Sequence, residues 1–121
     1  MESKNEFIER FKLKTKRMAV DIVKLMEDVK STKSSDIIVR QIIRSATSTG
    51  ANYRAACKAR SKNEFFAKMS IVVEESDETL YWMEIIGELN LIQNKQELER
   101  LQGECSEITK VATTARNKKY K

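Results

Sequence analysis

The chain has no proline and only three glycines, Gly50, Gly87 and Gly103, among 121 residues. Tight turns between strands draw on both residue types, and helix interiors disfavour both. That scarcity argues against a strand-and-turn protein and for an all-α one. The punctuation that remains is polar, in "STKSSD" and "RSKNE", with "GELNLIQN" as the last break. It divides the chain into four predicted helices at about 5–30, 36–59, 62–88 and 95–116, followed by a basic tail at 117–121. A length of 121 residues suits one domain, 1–121, around one core.

Each segment carries a helical apolar period. In the first, Phe7, Phe11, Met18, Ile22, Leu25, Met26 and Val29 recur at steps near three and four. The second has a seam of Val39, Ile43, Ala46, Gly50, Tyr53 and Cys57, spaced 4, 3, 4, 3, 4. This phase runs unbroken through "SATSTGA", so the small residues are read as helix rather than as a glycine loop. The local cost is about 1 kcal/mol for Gly50 relative to alanine, with several tenths more for each of Thr47 and Thr49, and packing has to offset it. Gly50 is therefore a candidate for close helix packing. The third segment shows two stripes, Phe66, Met69, Val73, Leu80, Met83 and Gly87 beside Phe65, Val72, Trp82 and Ile86, which implies more than one neighbour. The fourth keeps Leu98, Leu101, Cys105, Ile108, Ala112 and Ala115 at 3, 4, 3, 4, 3.

Cap signals support these starts. Ser34 or Ser35 is expected to cap the second helix with Asp36 in its first turn, Ser61 with Glu64 the third, and Asn94 with Glu97 the fourth. Four long amphipathic helices joined by short links predict an antiparallel up-down-up-down four-helix bundle.

The net charge of +5 is unevenly divided: residues 36–62 carry six basic groups and one acidic, and residues 63–93 one basic and seven acidic. At 100° per residue, Arg40, Arg44, Arg54 and Lys58 fall within about 40° of one line on the second helix. Opposite in sign is the third helix, with Glu74 and Glu78 four residues apart and Asp77, Glu84 and Glu88 near them. Either the two stripes meet, within a subunit or between subunits, or the basic one is a phosphate-tracking surface. In the second case "RFKLKTKR" of the first helix adds Lys12, Lys14, Lys16 and Arg17. RNA and DNA are then the candidate partners.

Much familiar chemistry lacks its residues. Histidine is absent, which removes the commonest general base and the ligand that most zinc and di-iron sites require. "ATSTGANYR" has one glycine and no Gly-Lys-Ser/Thr, so it fails as a phosphate loop. The hydroxyls of Ser45, Thr47, Ser48 and Thr49 have no evident base and are expected to bond backbone or water. Cys57 and Cys105 form no CxxC pair and are expected to be two buried, reduced thiols. No catalytic residues, metal site or cofactor are expected. "MESKNEFIERFK" lacks a signal-peptide core and no apolar run spans a bilayer, so the expected location is cytoplasmic with no membrane partner. Tyr81 and Trp82 in "TLYWMEI" are expected in core or interface rather than stacked on bases.

"QIIRSATSTGANYRAA" followed by "SKNEFFAKMSIVVEESDETLYWMEII" resembles the small bacterial four-helix-bundle proteins named after 23S rRNA intervening sequences. The shared pattern falls on Gln41, Arg44, Ala46, Ser48, Asn52, Ser61, Glu64, Phe65, Glu75, Glu78, Tyr81 and Trp82. Where the commoner family pattern has Glu-Gly soon after the asparagine, this chain has "NYRAA". The resemblance implies a left-handed bundle that assembles into a homopentamer. The seam, the acidic stripe and the aromatic pair make Gly50, Tyr53, Glu74, Glu78, Tyr81 and Trp82 the candidate packing or oligomer residues. A related branch, the accessory variability proteins of diversity-generating retroelements, implies a reverse transcriptase or another protein as an alternative partner, with the chain as an interaction scaffold.

Overall fold

The computed structural model describes residues 1–118. Four helices follow one another, α1 (Lys4–Met26), α2 (Lys33–Cys57), α3 (Lys62–Glu88) and α4 (Lys95–Lys118). Each packs on its neighbours in the chain and α1 closes on α4, while α1 and α3 lie diagonally, their backbones not closely apposed among the described residues. Phe11 beside Tyr53, Ser45 beside Thr79, and Ser76 beside Thr109 fix antiparallel neighbours around the bundle. The up-down-up-down four-helix bundle read from the periodicity is the observed architecture.

The α1 helix stops at Met26, four residues before the expected Lys30. Its end tightens into three-residue hydrogen bonds, Glu27 N to Lys24 O at 3.2 Å and Asp28 N to Leu25 O at 3.2 Å. Glu27 and Asp28 place negative charge at the negative end of the helix dipole, which discourages another turn. The next cap also lies earlier than Ser34 or Ser35. Thr32 accepts from Ser35 N at 3.1 Å while Ser35 Oγ accepts from Thr32 N at 2.8 Å, a capping box with serine in the usual Glu position. Ser35 also donates to Lys30 O at 2.7 Å, which explains how a serine there can be buried. Ser61 and Asn94 cap α3 and α4 as expected, accepting from Glu64 N and Glu97 N. Asn117 and Lys118, expected in the tail, are the last residues of α4; residues 119–121 lie outside those described.

The core joins Phe11, Met18 and Ile22 of α1 with Ile42 of α2, Met69 and Met83 of α3, and Leu101 and Ile108 of α4. At about 25 cal/mol per Å² of apolar surface removed from water, such burial is the main favourable contribution to the fold. Its α4 side follows the expected seam from Leu98 to Ala112. On α2 the buried face is rotated: Ile38, Ile42, Ser45 and Thr49 lie inside, whereas Val39, Ile43 and Cys57 flank the core. On α3, Ser76 and Thr79 are fully buried between the two predicted stripes, while Phe66 is exposed under the Arg116 guanidinium, 5.3 Å from the ring centroid.

These buried hydroxyls are inexpensive because each finds a partner. Thr79 donates to Ser45 Oγ at 2.8 Å and Ser45 to Ile42 O at 3.2 Å, while Thr49 donates to Ser45 O at 2.9 Å. No buried side-chain polar atom among the described residues lacks a hydrogen bond. A hydroxyl bonded to its own helix's carbonyl presents mostly carbon to the core.

Candidate nucleic-acid interface

Residues that lie on one stripe of α2 by helical angle have different neighbours in space. Arg44, on the flank that borders α3, donates from Nη1 to Glu75 Oε2 at 3.1 Å and from Nη2 to Glu78 Oε2 at 2.8 Å. Those bonds, to Glu75 first, raise the pKa of a guanidinium that is charged throughout the working pH range in any case. Trp82 Nε1 donates to Glu78 Oε2 at 3.0 Å, Ser48 Oγ to Glu75 Oε2 at 3.4 Å, and Asn52 Nδ2 to Ser48 O at 2.9 Å. The Glu75 side chain is only 15% exposed against 51% for Arg44, so the carboxylate sits inside the seam and the guanidinium covers it. Glu78 has a lowered pKa, first through the Trp82 indole and then through Arg44.

The other members of the stripe meet no carboxylate among the described residues. Arg40 and Arg54 are exposed on α2, Lys58 is exposed at its C-cap, one residue short of the expected helix end at 59, and none of the three has an ion pair among the described residues. Arg60 and Lys62, which the sequence reading left aside, extend this free charge around the exposed turn between α2 and α3. Simple proximity in the chain to Lys58 was the signal for them.

The basic run of α1 disperses, because residues one or two apart on a helix do not share a face. Lys14 reaches α4, 2.5 Å from Glu104 and 3.2 Å from Glu107. Burial opposes its charge, and the bonds to both glutamates outweigh that and raise its pKa. Lys12 pairs with Glu9 at 3.2 Å, while Lys16 and Arg17 are exposed with no ion pair among the described residues.

The remaining candidates separate as well. Tyr53 is buried with its ring 4.7 Å from that of Phe11, edge to face, and burial raises its phenol pKa. Gly50 faces Thr15 of α1. Trp82 is half-buried against the core, whereas Tyr81 is 53% exposed on the outer face of α3, with Glu74 also exposed nearby. Cys105 is buried, but Cys57 is only partly so, against the expectation of two buried thiols, because its position lies on the flank of the rotated α2 face. Among the described residues no cluster of three or more potential ligands could hold a metal ion, and no helix is long and apolar enough to cross a membrane.

The model of the family described as 23S rRNA-intervening sequence protein matches residues 10–114. The chain belongs to that family. The 23S rRNA-intervening sequence family pattern quoted above now has a physical basis. Arg44, Ser48, Asn52, Glu75, Glu78 and Trp82 form a single hydrogen-bonded network across the α2–α3 seam. A crystal structure of a protein of unknown function from the S23 ribosomal protein family of Bacteroides thetaiotaomicron is similar throughout. It has a TM-score of 0.81 and 32% identity, over 91% of this chain and 97% of that one. No curated protein matches the chain.

Proposed function

We propose that this family member is a non-catalytic, self-associating helical bundle that binds nucleic acid through the free cations of α2. The observation that carries the reading is the division within the basic stripe. Arg44 is neutralised by Glu75 and Glu78, while Arg40, Arg54 and Lys58 stay exposed without a carboxylate partner among the described residues. Cations held by a rigid helix at spacings of several residues suit phosphate contacts, which give affinity without base readout. The family's description, which names 23S rRNA, makes RNA the first polymer to test.

Fluorescence anisotropy with labelled single-stranded RNA and DNA at increasing salt tests this. Affinity should fall steeply with salt. Arg54→Gln/Lys58→Gln should flatten the log–log slope by about 1.4, from roughly 0.7 per phosphate contact, while Arg44→Gln leaves the slope unchanged. Absence of binding at low salt overturns the reading. A protein-interaction scaffold, such as an accessory subunit of a reverse transcriptase, is the second reading. It is favoured by the exposed Tyr81 among the carboxylates of α3, and co-purification of a polypeptide in place of nucleic acid would select it.

A further inference from the structure

Antiparallel packing brings the start of α1, the end of α2, the start of α3 and the end of α4 to one end of the bundle. Cations collect there beyond those of the α2 stripe. Arg60 and Lys62 are exposed at the α2–α3 turn and have no ion pair among the described residues. Arg116, near the end of α4, has none there either. It donates to neutral acceptors, Asn117 Oδ1 at 3.2 Å and Ser70 Oγ at 3.5 Å, and lies over the Phe66 ring, 5.3 Å from its centroid. Phe66 keeps 41% of its surface exposed, and Lys62 stands about one helical turn before it on the same face of α3. Carboxylates near this end are engaged on α1, where Glu2 pairs with Arg10, Glu9 pairs with Lys12, and Glu6 accepts from Ser3 N. Glu64, in the first turn of α3, is half-buried.

A planar cation held against a ring, with further cations a short way along the chain, offers an unstacked base a stacking surface and its flanking phosphates their counter-charge. Lys58 and Lys62 are four residues apart across the turn, so their Cα atoms lie within about 14 Å of each other, and Phe66 follows about 6 Å further along α3. The cations thus pass from α2 through the turn onto α3. A single strand can follow such a path, whereas a duplex, stiff over about 150 base pairs, resists so tight a course. Paired and stacked bases also hide their faces from a side chain. We infer that this end of the bundle binds single-stranded nucleic acid, with a base stacked at the Phe66–Arg116 pair and the neighbouring phosphates on Lys58, Arg60 and Lys62. This selectivity rests on the nucleic-acid binding proposed above and adds the class of polymer and the place of its bases.

Anisotropy titrations with a labelled oligouridylate and with a labelled RNA duplex test this. The single strand should bind more tightly at equal salt. Phe66→Ala leaves every charge in place, and Arg116→Lys keeps the charge but loses the plane. Each should weaken single-strand binding about fivefold or more, with the salt slope and the duplex affinity unchanged. Arg60→Gln/Lys62→Gln should instead flatten the single-strand slope by about 1.4. Should Phe66→Ala lose its helical spectrum, Arg116→Lys decides. Absence of wild-type binding to either probe at low salt overturns this inference together with the nucleic-acid reading. A preference for the duplex, or wild-type single-strand affinity in Phe66→Ala and Arg116→Lys while Arg54→Gln/Lys58→Gln still flattens the slope, overturns the single-strand assignment alone.

Discussion

Thr15 of α1 closes on Gly50 of α2 so nearly that a Cβ on residue 50 would lie 3.3 Å from Thr15 Oγ1 and 3.6 Å from its backbone carbonyl carbon. The hydroxyl is held in place by its bond to Lys12 O at 3.0 Å, and the backbone behind it belongs to a rigid helix. A leucine side chain has no room there. Gly50→Leu should lose about 1 to 3 kcal/mol through overpacking, despite the better helix propensity of leucine. Thermal unfolding followed by circular dichroism checks this, and a melting midpoint equal to that of the wild type would refute it.

The bond from Trp82 to Glu78 links stability to pH. A carboxylate whose folded pKa lies below its unfolded value contributes stability that is fully present above the unfolded value, and loses it as pH falls through the folded one. Glu78 is such a group, with the indole as the first cause. Trp82→Phe should therefore be more harmful at neutral pH than at pH values well below about 4.3, the ordinary glutamate range. Urea midpoints at both pH values measure the difference. A penalty that does not change with pH would show that only ring packing was lost.

Cys105 and Cys57 should differ in reactivity. The Cys105 thiol donates to Ser76 O at 2.9 Å, and burial pushes its pKa up to about 12. Thiolate is the nucleophilic form, so at mildly alkaline pH almost none is present at this position. Iodoacetamide added to the folded protein should label Cys57, which is partly accessible, and spare Cys105 until denaturant is added. Mass spectrometry of the digested protein reads this directly, and equal labelling of both in the native state would contradict the buried placement.

Much of the fold was legible in the amino-acid sequence. The α4 seam is the clearest case, since a long heptad rhythm with apolar residues at each step has one low-energy disposition on a bundle. The caps at Ser61 and Asn94 were readable because an N-cap depends on local spacing alone. The rotation of α2 was not. Ser45 and Thr49 count as polar in any hydropathy pattern, and only their bonds to backbone and to Thr79 make them core residues. The end of α1 was missed for a related reason: Val29 still packs on the core, so the apolar period outlasts the helix itself.

The candidate site divides along the same line. Helical angle alone puts Arg40, Arg44, Arg54 and Lys58 on one stripe, and the compositional contrast between residues 36–62 and 63–93 marks two helices of opposite charge. Those features are local, carried by residue order and the 3.6-residue turn, so the amino-acid sequence determines them by itself. Which arginine meets a carboxylate depends on the position of α3. It places Glu75 and Glu78 beside Arg44, while Arg54 and Lys58 meet no carboxylate among the described residues. An ion pair forms or fails over a few ångströms, a distance that helix packing sets and that residue order does not contain.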